Sequence, residues 1–182
     1  MSWKNTETRF GTLSISLHWL MLILIVGVYA CIELKGYFPK GSDMREGLKQ
    51  WHFMLGLSIF ALVWLRILAR VIAPTPKIQP APPVLQEKLA KLMYLALYLL
   101  MIGAPLAGWL ILSAFGKPIP FFGLELPPLI SENPELGSQI KELHELAGTV
   151  GYWLIGLHTV AALYHKHVVR DNAMDLMVPE RK

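Results

Sequence analysis

Four long apolar runs, roughly Thr12 to Leu34, Leu48 to Ala73, Leu92 to Phe115 and Leu143 to His165, constrain this chain more than anything else in it. Each is long enough to cross a hydrocarbon core of about 30 Å as an α-helix. Within lipid the backbone has to satisfy its own hydrogen bonds, which leaves helices and closed barrels, and these runs lack the alternation of barrel strands. The expected fold is therefore all-α, a four-helix up-down-up-down transmembrane bundle forming one domain over residues 1–182. Composition points the same way: 54% hydrophobic residues, 16% charged residues and a mean hydropathy of +0.44 are too apolar for a soluble domain of this length. The first run reads as a retained span. It holds 22 residues without a charge from Gly11 to Ile32, longer than the apolar part of a leader, and bulky Tyr29 spoils a cleavage site before Cys31.

A net charge of +4 does not suggest a nucleic-acid partner, because the basic residues flank apolar spans and so fit anionic lipid. The amino terminus, the second connector with its flanks, and the tail (Lys4, Arg9; Arg66, Arg70, Lys77, Lys88, Lys91; Lys166, Arg170, Arg181, Lys182) carry 11 Lys and Arg. The first and third connectors (Lys35, Lys40, Arg45, Lys49, Lys117, Lys141) carry 6. The positive-inside rule then puts both termini in the cytoplasm. The second connector, APTPKIQPAPP, is too rich in proline to continue a helix and should be an extended strap. The third, Gly116 to Ile140, should lie against the outer membrane surface or lid the bundle, and Pro105 should kink the third span.

Histidine is the chemistry these spans carry. His144 and His158 are 14 residues apart in the fourth run, so on a helix they share a face about 21 Å apart along the axis. Gly148, Gly151 and Ile155 lie on the stripe between them, low enough to let a large flat ligand near the backbone. Imidazole is a common axial ligand of haem iron, although small residues also suit helix packing in lipid and a membrane histidine can simply bond a neighbouring helix. Depth separates the readings. With alternating spans, His18 and His158 fall at the cytoplasmic level and His52 and His144 at the periplasmic one, two levels of two, as a pair of bis-histidine haems requires. No C-x-x-C-H is present, so such haems would be of b type. A zinc site would want ligands one turn apart or a carboxylate close by, which no span offers. A transporter would want intramembrane acids or broken helix pairs.

Arg66 stands 14 residues after His52, hence on its face and at the inner level, where a guanidinium would bind a haem propionate or snorkel to headgroups. Lys49 and Lys141 each precede an outer histidine by three residues and so should flank the outer site. His165 and His167, two apart, should face different ways at the cytoplasmic interface.

The runs ISLHWLMLILIVGVY, WHFMLGLSIFALVWLRILAR and HELAGTVGYWLIGLHTVAALYHKHVVRDN resemble the bacterial cytochrome b561 family, and the likeness covers nearly the whole chain. The resemblance implies an inner-membrane four-helix protein with two haems b, His18, His52, His144 and His158 as iron ligands, and ubiquinone as electron acceptor. A periplasmic donor is implied too, superoxide in a characterised member, so that an oxidoreductase of superoxide:ubiquinone type is expected. The alternative is a non-catalytic haem-b anchor for a periplasmic redox protein. The third span departs from the pattern in lacking a histidine, with Lys91 and Tyr94 near the positions concerned.

Overall fold

The computed structural model describes residues 2–178, so Arg181 and Lys182 of the tail charge count lie outside the described residues. Four long helices follow one another: α1 (Thr12–Leu34), α2 (Asp43–Val71), α3 (Val84–Ala114) and α4 (Pro134–Tyr164). All four are long and apolar enough to cross a membrane. α1 has the expected bounds, but the others begin well before the apolar runs, because hydropathy marks the lipid-crossing part of a helix and caps mark its start. Ser42 caps α2 by accepting from the Arg45 amide, with Asp43 and Glu46 in the first turn facing the helix dipole. Asn133 caps α4 through the Leu136 amide, and Pro134 takes the first helical position, where its missing N–H costs nothing. Pro83 ends the strap and α3 starts directly after it, running on through Pro105 as one helix.

Consecutive helices pack side by side, α1 on α2, α2 on α3 and α3 on α4. The centre of that sheath is Met21, Ile59, Val63 and Met101, all buried, surrounded by Leu24, Ile25, Val28, Leu97 and Tyr98 among others. Elsewhere the helices show apolar side chains outward, Trp153 at 78% exposure, Val160 at 62% and Leu99 at 61%, as a bundle solvated by lipid must. α1 and α4 share no such packed face, and side chains span the seam between them.

The end of the bundle that holds both termini, here the near end, is tied together by hydrogen bonds. Ser2 and Trp3 carbonyls accept from the Thr12 and Leu13 amides, which α1 itself cannot satisfy. Buried Asn5 accepts from the Gly11 amide (2.9 Å) and the Ser14 hydroxyl (2.7 Å). A side chain at Gly11 has no room, since a Cβ there would lie 2.4 Å from the Lys4 carbonyl carbon. The second connector is extended, as expected, and takes the Glu7 carbonyl at Lys77 and two hydrogen bonds with Asn172 at Gln79. The tail closes over α1, its Met177 carbonyl accepting from the Trp19 indole at 2.8 Å and Val178 from Arg9 at 3.0 Å.

At the far end the third connector is shorter than expected, because α4 starts early, and it contains a small hairpin, β1 (Pro120–Phe121) and β2 (Leu124–Glu125). Buried Ile119 packs there on Leu57 and Leu112 with Phe53, Trp109 and Leu126, so the connector lies on the far ends of α2 and α3.

Candidate functional site

The four histidines meet in two pairs, at the levels their order along the spans implies. At the far level His52 of α2 faces His144 of α4 with ring centroids 6.1 Å apart and ring planes at 82°. At the near level His18 of α1 faces His158 of α4 at 6.3 Å and 69°. A metal–imidazole nitrogen bond is about 2 Å long, which puts two rings on opposite sides of one metal at a centroid separation of about 6 Å. Both pairs have the spacing of rings that share one iron, and all four histidines are half-buried within the spans.

The far pair is also held in the matching tautomer. His52 Nδ1 lies 3.0 Å from the Val28 carbonyl and His144 Nδ1 lies 3.0 Å from the Ala104 carbonyl. Carbonyls only accept, so each Nδ1 donates its proton and each Nε2 keeps a lone pair for a metal. The carbonyls come from α1 and α3, the two helices that contribute no histidine at this level. A ring macrocycle needs space beside the ligands: nothing stands within 4 Å of where a side chain at Gly148 would begin. The residues present thus fit two haems.

The near pair differs. Arg66 Nη2 lies 3.0 Å from His18 Nδ1, and Arg66 Nη1 lies 3.9 Å from Met21 Sδ. A guanidinium only donates, so His18 Nδ1 accepts here and its proton sits on Nε2. Ligation through Nε2 by a neutral imidazole needs that proton back on Nδ1 and Arg66 turned aside, towards the Tyr98 hydroxyl beside it or another acceptor. Arg66 is thus at the near level, beside His18.

Two expectations change. The glycine stripe is not wholly open, because the Tyr29 hydroxyl fills the room over Gly151, where a Cβ would lie 2.1 Å from it. Tyr29 donates to the Gly148 carbonyl at 2.9 Å, and its ring lies 4.3 Å from that of Tyr152, whose hydroxyl donates to Glu33 at 2.8 Å. Lys49 and Lys141 do sit at the far end, but each is paired on its own helix, Lys49 with Glu46 at 2.6 Å and Lys141 with Glu145 at 2.9 Å. They share that mouth with Lys35 and Arg45.

His165 follows α4 at the near end of the bundle. It lies seven residues after His158 on the same face, and its Nδ1 bonds the buried Asp171 carboxylate, whose other oxygen accepts from the Ala173 amide at 2.9 Å. Arg170, in the left-handed region at φ 60°, turns the chain so that Asp171 returns to His165. His167 is exposed.

The sequence of this chain matches the family described as Prokaryotic cytochrome b561 over residues 9–180. It is 36% identical to Cytochrome b561 homolog 1 of Escherichia coli (strain K12), across 96% of this chain and 99% of that protein. It is 35% identical to the Probable superoxide oxidase CybB of Yersinia pestis, across 96% and 98%, and 29% identical to Cytochrome b561 homolog 2 of Escherichia coli (strain K12), across 98% and 95%. A match over residues 9–180, which takes in all four helices, makes the chain a member of the prokaryotic cytochrome b561 family.

Proposed function

We propose that this membrane b-type cytochrome holds two haems b, one between each histidine pair, and moves single electrons from a periplasmic donor at the far pair to ubiquinone near the near pair. Membership of the family makes it a multi-pass membrane protein of electron transfer that binds haem b. The observation that carries the finer reading is the stacking of two histidine pairs at metal-bridging separation along α4. The excess of Lys and Arg at the near end supports a cytoplasmic placing of both termini in a bacterial inner membrane.

Bound haem supplies reversible one-electron exchange. The protein's residues do the rest. With His52 and His144 both holding the iron, no open coordination site would be left, so a small donor such as superoxide would react at the exposed edge of the far site. Lys35, Arg45, Lys49 and Lys141 favour an anion at that mouth, within the limit set by Glu46 and Glu145. Superoxide as donor has its support in the Yersinia pestis relative, named a probable superoxide oxidase. At the near end Arg66 would hold a propionate through its two-pronged donor face, with the His18 proton moved from Nε2 to Nδ1. His165 holds a proton for the quinone, its Nδ1 oriented by Asp171 so that Nε2 is left to the acceptor.

A second reading, a haem-b anchor for a periplasmic redox protein, draws on the exposed hairpin tip of Phe122 and Leu124 at the far end. Stopped-flow mixing of the oxidised protein with superoxide separates the two. Rapid haem reduction followed by transfer to a ubiquinone analogue is expected; no reduction by superoxide would favour the anchor.

A further inference from the structure

The far histidine pair is oriented from two helices that supply neither of its histidines, α3 through the Ala104 carbonyl to His144 and α1 through the Val28 carbonyl to His52. On α1, Val28 and Tyr29 are neighbours in sequence, and each reaches a different ligand helix: the Val28 carbonyl takes the His52 ring proton at 3.0 Å, and the Tyr29 hydroxyl donates to the Gly148 carbonyl at 2.9 Å. Gly148 is one turn beyond His144 on α4, nearer the far pair than the near one. Its carbonyl has a second lone pair to offer beside the one used within the helix. The contact is tight, since Gly151 is buried and the hydroxyl occupies the volume a side chain there would need. The ring is fixed as well, by Tyr152 at 4.3 Å, itself tied back to α1 at Glu33. α1 and α4 share no packed face, and this tyrosine cluster bridges them in the far half of the seam.

We infer that Tyr29 is a positioning residue for the far pair: with Val28 orienting His52 and Ala104 orienting His144, the bond from Tyr29 to Gly148 fixes the placing of α4 on which the angle between the two far imidazoles depends, and Gly151 is glycine to admit it. The inference rests on the two-haem reading above. That angle has a spectroscopic signature. When axial imidazole planes are nearly perpendicular, as at 82° here, the π-symmetry d orbitals of low-spin ferric iron remain close in energy and the electron paramagnetic resonance signal is strongly anisotropic. Rotation towards parallel planes splits those orbitals and reduces the anisotropy.

The test is electron paramagnetic resonance, with a redox titration, on the purified haem-loaded protein and on Tyr29→Phe and Gly151→Ala, the far signal being identified as the one missing from His52→Ala. Tyr29→Phe keeps the ring and removes only the bond to Gly148. Its far signal is expected to become less anisotropic or to split into two, with a shifted far midpoint potential, an unchanged near signal and full haem content; Gly151→Ala, which pushes the hydroxyl out, shifts the same signal. A far signal unmoved in Tyr29→Phe, or near and far signals moving equally, overturns the inference. Wild-type protein without two low-spin signals would instead overturn the two-haem reading on which it stands.

Discussion

Replacing Arg66 by leucine should lower the midpoint potential of the near haem and leave the far one in place. The guanidinium nitrogen is 3.0 Å from His18 Nδ1, and an imidazole spans about 4 Å from Nδ1 to a metal on Nε2, so with Arg66 turned aside towards Tyr98 the charge centre lies about 8–10 Å from that metal. At an effective dielectric constant of about 20, a unit charge at that distance stabilises an added electron by about 2 kcal/mol. For a one-electron couple this is about 90 mV. Reduction adds negative charge, so the loss of a cation makes the near haem harder to reduce. A propionate deprived of its partner would act in the same direction. Arg66→Lys keeps the charge but not the two-pronged donor geometry, and should recover most of the potential. The assay is an optical redox titration resolved into two components. An Arg66→Leu protein with both midpoints and its haem content unchanged would refute the placing of this charge at the near site, and would assign Arg66 to lipid headgroups.

Other expectations follow from the same geometry. Lys49→Gln and Lys141→Gln should each slow superoxide-driven haem reduction by about twofold at low ionic strength, since a single charge at a solvated mouth is worth little and each lysine is already paired; a salt series in stopped flow reads this, and rates independent of salt and variant would remove steering from the account. His165→Gln should slow reoxidation of the reduced protein by a ubiquinone analogue about tenfold or more, with both potentials and haem content preserved, and an unchanged rate would exclude His165 from proton delivery. Gly11→Ala should lower stability by about 1–3 kcal/mol through the clash with the Lys4 backbone, seen as a lower midpoint for thermal loss of the Soret band.

What could be read from the sequence was whatever lipid or helical period enforces. The four spans were legible because the bilayer leaves few other structures for such runs, and the histidine levels because alternating spans order depth. The starts of α2 and α4 were legible in principle, in Ser42 before Asp43 and in Asn133-Pro134-Glu135, but these signals lie outside the apolar runs. The pairing of Lys49 with Glu46 and of Lys141 with Glu145 follows from spacings of three and four on one helix face. Tyr29 over Gly151 was not legible, because two distant helices must first be brought together; the glycine alone suggests an open surface. The His165–Asp171 pair was hidden for another reason. It depends on a wide helical turn and the left-handed Arg170, which bring together residues that a regular helix would hold on different faces.

The central claim, two haems each held between two histidines at two levels, is tested most directly by pyridine haemochrome quantitation combined with redox titration of the wild type and four single variants. The account predicts two haems b per chain and two titrating components, one lost in His18→Ala and His158→Ala and the other in His52→Ala and His144→Ala. One haem per chain, or His18→Ala and His52→Ala removing the same component, would contradict it.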